Sequence, residues 1–317
     1  MALSQMQVFN EYVMPATIET LSQMVKKFNA ASGGAISLTT EGFTGDFLQE
    51  SFFAGLSGAQ RRVDRYAANA SVTPVDLTQG KQNSVKIAGA YGPVRFEPSQ
   101  LTWLQKPTAE GVEVISRTMA DYLMSDQLNT SILALVAAIS AQSAATNDVS
   151  STLPITYDAM NNSHALFGDS SGQLITQVMT GMQFHKLIGQ NLANTSKLFV
   201  ANNVQVVDVF GKLVVITDAP ALTAFSKQRV LSLASNAAIV SDGGDLIGNV
   251  QTVNGLTRIE TTLQADYTFG LGLKGYSWND ATGGKSPTDA KLATGANWTK
   301  IATSIKQTAG VLTIGQP

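Results

Sequence analysis

The feature that most constrains this chain is an uninterrupted run from Pro107 to Thr146. Pro107 has no backbone N–H to leave unpaired, and Thr108 supplies a capping oxygen ahead of Ala109 and Glu110, so a helix start is predicted here. Apolar residues then recur at helical spacing: Val112, Ile115, Met119 and Leu123, followed by Ile132, Leu135, Val136 and Ile139. Glu113, Arg117, Asp121, Gln127 and Asn129 fall between them, no proline interrupts the run, and Gly111 is its only glycine. About 40 helical residues would span roughly 60 Å, more than the width of a small domain. A rod of that length acts as a backbone for other elements. The alternative is two ordinary helices broken near Ser125–Thr130.

The 317 residues suffice for a large core and point to two domains. Charged residues make up 14% of the chain, against about a quarter in an average domain. Uncharged polar and small residues replace them, which suits a surface packed against neighbours. The net charge of −2 gives no overall basic character for tight nucleic-acid binding. With no cysteine, disulfides and thiolate metal sites are excluded, and two histidines, His164 and His185, make a zinc site improbable. No metal and no cofactor is expected. Met1–Met6 lack the charged start and apolar run of a secretory signal, and the most apolar stretch, Ile132–Ile139, is too short for a bilayer. The expectation is an intracellular, soluble chain that does not engage a membrane.

Along the chain, the run after Pro15 predicts an amphipathic helix ending at Gly33 and Gly34. An aromatic, glycine-punctuated segment follows, with Phe43, Phe47, Phe52 and Phe53 among Gly42, Gly45, Gly55 and Gly58. It has no clear period and is expected to lie along another surface. From Gln60 to Leu104, short β-like runs (Val72, Val75, Leu77; Val85–Ile87; Val94–Phe96) are broken by Gly80, Gly89, Gly92 and Pro93, predicting an extended β-hairpin. Residues 60–106 hold Arg61, Arg62, Arg65, Lys81, Lys86, Arg95 and Lys106 against Asp64, Asp76 and Glu97, the clearest charge asymmetry in the chain. One reading is a solvated hairpin whose lysines guard its edges. The other is an arm that pairs with an acidic patch on another subunit.

Beyond the long helix, Ile155–Phe167 predicts a helix, Leu174–Met179 a buried strand, and the run through Phe184, Leu187 and Ile188 a second helix. Val204–Val209 and Leu213–Thr217 flank Gly211 as a hairpin, and Val230–Leu233 and Ala237–Val240 add strand, giving a mixed α/β domain of about 100 residues. Thr252–Gly275 alternates as one long strand. Thr288–Ala293 predicts a short helical piece and Val311–Ile314 a final strand.

Three matches to catalytic patterns fail on context. Gly270, Gly272 and Gly275 have dinucleotide-loop spacing but precede turn chemistry instead of a helix. Gly284-Lys285-Ser286 ends like a phosphate loop, but Asn279 stands where its first glycine belongs and Pro287 follows. Gly168, Ser170 and Gly172 match a nucleophile elbow, yet the predicted order is helix, turn, strand, and no acid lies between Ser170 and His185. No active site is supported, and the chain is not expected to be an enzyme.

The order of parts resembles the major capsid proteins of tailed phages, with the Hong Kong 97-type α+β fold. The likeness is strongest in Leu174–Met179, Phe184–Leu187 and Phe210–Pro220, and again in Gly275–Asn279, Pro287–Ala290 and Leu292–Trp298. The resemblance implies an N-terminal arm at 1–58 and an extended β-hairpin loop at 59–106. A spine helix at 107–147 joins 246–317 as a peripheral domain, and 148–245 form an axial domain. It implies a coat protein that self-assembles as hexamers and pentamers into an icosahedral head enclosing double-stranded DNA, held non-specifically. Scaffolding, portal and decoration proteins are further implied partners, with assembly in the host cytoplasm and residence in the virion. Arg61, Arg62, Arg65, Lys81, Lys86 and Arg95 are the candidate intersubunit contacts. The alternative within the same fold is an encapsulin-like bacterial compartment shell.

Overall fold

The computed structural model describes residues 15–26, 28–29, 32–39, 47–53, 61–69, 71–74, 76, 79–97, 108–194, 212–243, 245–254 and 257–317. Several expectations fall outside these: the first fourteen residues, the glycines at 42, 45, 55 and 58, Val75, Leu77, Lys106, Pro107, Val204–Gly211 and Leu256.

The long helix is single, running unbroken from Thr108 to Ser140. Its first half is amphipathic: Met119, Ala120 and Leu123 are buried while Val114, Arg117, Asp121 and Tyr122 face outward. Its second half is enclosed on nearly every side, with Ile132, Leu135, Ala138 and Ile139 fully buried. By length and composition Glu113–Ser140 is apolar enough to cross a membrane, but protein covers its apolar second half. The helix stops short of the expected Thr146. That residue instead donates its hydroxyl to the Ile139 carbonyl (3.0 Å), satisfying a helix-end acceptor as the chain turns into strand.

Thirteen strands occur among the described residues: β1 (Ile36–Thr39), β2 (Phe47–Phe53), β3 (Gln79–Phe96), β4 (Thr146–Asp148), β5 (Leu174–Met179), β6 (Leu213–Ile216), β7 (Gln228–Ala234), β8 (Ala238–Asp242), β9 (Ile247–Val253), β10 (Glu260–Leu273), β11 (Tyr276–Trp278), β12 (Trp298–Lys300) and β13 (Gly310–Gly315). The first sheet has the order β1-β8-β10-β11-β12. Its centre is β10, which carries β8 and β9 in succession along one edge and β3 along the other. The second sheet has the order β4-β13-β7-β5-β6, with β5 and β6 parallel across the helix Gly181–Asn194.

Three expectations are corrected. The alternating run Thr252–Gly275 is the end of β9, a turn and β10, because Thr252 folds back opposite Thr261. Val85–Ile87 and Val94–Phe96 are not two limbs of a hairpin but parts of one long strand, β3, whose partner is β10. Gly92 (φ +98°) and Pro93 make a bulge, not a turn: between the pairs Leu263–Val94 and Ala265–Tyr91, the single residue Gln264 of β10 opposes both of them. The expected surface-lying segment around Phe47 and Phe53 is β2, paired antiparallel to residues 79–85 of β3. A two-stranded ribbon therefore does form, with Gln82 and Asn83 of β3 hydrogen-bonded to Leu273 and Ser277, but its first strand lies within the expected N-terminal arm.

Two strands also cross the expected domain limits. β8 belongs to the first sheet with β10, and β13 lies between β4 and β7 in the second. One continuous apolar cluster joins the two sheets through the long helix, with Ile132 and Leu135 touching a core that includes Leu231 and Leu312 as well as Phe269 and Leu271.

Candidate assembly interface

The ribbon β2–β3 is rooted in the body by its second strand. Lys86 lies 3.9 Å from Asp245 and Arg95 lies 3.4 Å from Glu260. Arg258 donates to both oxygens of Glu97 at 3.0 and 3.4 Å. These pairs tie β3 to the β8–β10 side of the sheet, each worth about 0.2–1 kcal/mol where solvent screens it. Thus two of the six predicted contact residues, Lys86 and Arg95, already have partners within the chain. Sequence reasoning missed Arg258, Asp245 and Glu260, since only the pairing of β3 with β10 brings them near.

The other four behave differently. Residues 61–69, 71–74 and 76 have no regular structure and are exposed throughout. Arg61, Arg62 and Arg65 lie here, with Asp64 folded onto the backbone N–H of Tyr66 (2.9 Å). No described carboxylate comes within ion-pair distance of these three arginines or of the exposed Lys81. Beside them Tyr66 is 101% exposed, and Val63 and Val72 are exposed as well. Basic and apolar groups left open on an exposed, irregular segment form a surface that gains from a partner and offers little to its own core.

On the body, the outward face of the long helix carries Glu113 and Asp121 with exposed Val114 and Tyr122. Its inward face meets β10: Met119 and Leu123 pack with Ala265 and Tyr267, and the Tyr267 hydroxyl donates to Asp126 at 2.6 Å. Burial raises the Asp126 pKa and also that of Tyr267, so this hydrogen bond sits in a poorly hydrated seam.

The catalytic patterns dissolve in three dimensions. Gly270 and Gly272 are mid-strand in β10, and Gly275 turns the chain into β11. Gly284 closes the single-turn helix Asp280–Gly283, where its carbonyl accepts from Trp278 Nε1 (3.0 Å). Ser170 lies half-buried in the short 3-10 helix Gly168–Gln173 beside Asp169, whereas His185 stacks edge-on to Phe184. No metal-binding group of three or more His, Asp or Glu occurs among the described residues.

The tail motif is structural. Trp278 and Trp298 pair across β11 and β12 with ring centroids 4.8 Å apart at 66°, and Trp298 Nε1 donates to the Leu292 carbonyl (3.0 Å). Thr282 donates to Asn297 Oδ1 (2.8 Å), while Asn297 Nδ2 donates to the Lys291 carbonyl (2.9 Å), closing the knot.

Comparison with solved structures shows the same fold in phage heads. The chain matches the Cyanophage Pam1 capsid asymmetric unit with TM-score 0.54 at 12% identity, over 89% of this chain and 88% of that one. It matches a chain of Microbacterium phage Oxtober96 with TM-score 0.56 at 12% identity, over 90% of both, and one of Mycobacterium phage Adephagia with 0.54 at 11%, over 88% of both. This is the Hong Kong 97-type fold expected from the order of parts. No curated protein matches the chain. A family model described as major capsid protein 13-like matches residues 5–312. With a capsid fold and a family match along nearly its whole length, the chain belongs to the major capsid protein 13-like family and is a structural subunit of a phage head shell.

Proposed function

We propose that the exposed segment at the end of the β2–β3 ribbon is the chain's main grip on a neighbouring copy. Arg61, Arg62 and Arg65 meet carboxylates there, with Lys81 flanking and Lys86 and Arg95 holding the arm's root in position. The acceptor of matching chemistry is the outward face of the long helix, where Asp121 lies beside Val114 and Tyr122, and where Glu113, 3.5 Å from Arg117, would exchange that exposed partner for an arginine of the neighbour. The observation that carries this is the set of three arginines without an ion-pair partner among the described residues, beside a fully exposed Tyr66. Identical subunits joined through two different patches form rings, so hexamers and pentamers are the expected capsomers of an icosahedral shell. The second sheet serves as the axial domain, and the first sheet with the long helix as the peripheral domain.

The role is mechanical, without a catalytic step. The shell encloses double-stranded DNA through sequence-independent electrostatic contact. Scaffolding, portal and decoration proteins complete the head, which assembles in the host cytoplasm. Nothing observed favours the compartment-shell alternative. Replacing Arg61, Arg62 and Arg65 together by glutamate should lower shell yield about tenfold, equivalent to about 1.4 kcal/mol per subunit. The circular dichroism of the free subunit should stay unchanged, because these side chains are exposed and make no ion pair among the described residues. Normal shells from the triple variant would remove the charge argument.

A further inference from the structure

Strand β9 has an edge that the described chain leaves unpaired. Among the described residues its only ladder partner is β10, and nearly all of its residues are exposed. Unpaired edges in soluble proteins are kept short or guarded by lysine, proline or a bulge. β1 and β12, which also lie at ends of this sheet, have four and three residues. β9 has seven, Ile-Gly-Asn-Val-Gln-Thr-Val, with no charge, no proline and a regular register against β10.

That sequence is complementary to itself when reversed. An antiparallel copy centred on Val250 sets Ile247 opposite Val253, Gly248 opposite Thr252, Asn249 opposite Gln251, and Val250 opposite its own equivalent. Each position meets its own kind: branched apolar with branched apolar, small with small, amide with amide. Pleat parity agrees, because Ile247 and Val253 share one face of the strand and Val250 lies on the other. Ile247 and Val253 are 67% and 40% exposed, so each has apolar surface left to cover. A two-fold contact requires such self-complementarity, and a closed shell contains two-fold axes.

We infer that β9 pairs antiparallel with β9 of a second copy, joining two subunits edge to edge across a two-fold axis of the shell. The inference rests on assembly of the chain into shells and adds a second interface, separate from the basic arm. Each contact continues the sheet of one subunit into that of the next and satisfies backbone groups that would otherwise face solvent.

The absence of cysteine makes the register directly testable. Val250→Cys should yield a disulfide-linked dimer when shells of the purified chain are oxidised, because the two Cα atoms would lie about 4.5–5.5 Å apart. Val253→Cys alone should not, since six residues of offset would separate it from its equivalent by about 20 Å. In the unsubstituted chain, hydrogen exchange in β9 should slow at least tenfold between free subunits and shells. Shells of Val250→Cys that form normally but stay monomeric on oxidation would overturn the pairing. So would unchanged exchange in β9, or protection found only in virions and not in shells of this chain alone, which would assign the edge to another protein. If the chain forms no shells, the assembly reading falls and this inference with it.

Discussion

On the helix Tyr157–Ala165, His164 places Nε2 2.9 Å from Ser232 Oγ, beneath the second sheet. Burial, helped by the charge of Lys212, lowers its pKa from 6.5 to about 4. The neutral ring is therefore favoured in the fold. As pH falls from about 6.5 towards 4, the unfolded chain takes the proton first and stability declines through that window. The fall amounts to about 3 kcal/mol once the native value is passed. Urea unfolding at pH 7 and pH 4.5 should show this drop, and His164→Gln should flatten it. An equal drop in the variant would assign the acid sensitivity to other groups. A second residue acts through its lack of a side chain. A Cβ on Gly295 would lie 2.8 Å from the Ala137 carbonyl oxygen and 2.8 Å from Ala141 Cβ, both on or just past the long helix. Gly295→Val should therefore cost at least about 1–3 kcal/mol by pushing the tryptophan knot off that helix. An unchanged melting temperature would show that the knot shifts freely.

The long helix was legible in the sequence because its signals are local: spacing, the absence of proline and a clear start. Its end was not, since stopping at Ser140 depends on β4 pairing with β13, more than 150 residues away. The arm shows the same limit from the other side. Its charge excess was visible, but Gly89 and Gly92 look like turns unless β10 is known to run opposite, where they pair with Tyr267 and form the bulge. Likewise no local signal could show that Lys86 and Arg95 are already engaged by Asp245 and Glu260. For the helix itself, Ile132→Asp would place an unpaired carboxylate at a fully buried site, at a cost of several kcal/mol. The expected product is insoluble or unassembled chain. Val114→Asp, on the outward face, should leave the subunit's stability nearly unchanged. If both variants melt like the parent, the apolar face is not the helix's anchor.

At the scale of the whole molecule, an axial domain at 148–245 was expected beside a peripheral domain at 107–147 and 246–317, and strand pairing crosses that boundary at β8 and at β13. Strand order in space is a long-range property: β13 reads the same in sequence whether it ends a sheet or sits in its middle. Here all six of its residues are buried between β4 and β7, while the tail leading to it adds β11 and β12 to the first sheet. The long helix completes the link, because one apolar cluster runs from Leu231 and Leu312 past Ile132 and Leu135 to Phe269 and Leu271. Bodies that share a core lose it together, so the free subunit should unfold in a single calorimetric transition. Removing residues 310–317 tests the same point more severely. It strips β7 and β4 of their shared neighbour and exposes the apolar side of the helix that this strand covers. The truncated chain should lose the folded signature of both sheets and form no shells. Two separate transitions in the full chain, or a truncated chain that keeps the first sheet intact, would mean that the sheets are independent and merely tethered by the helix.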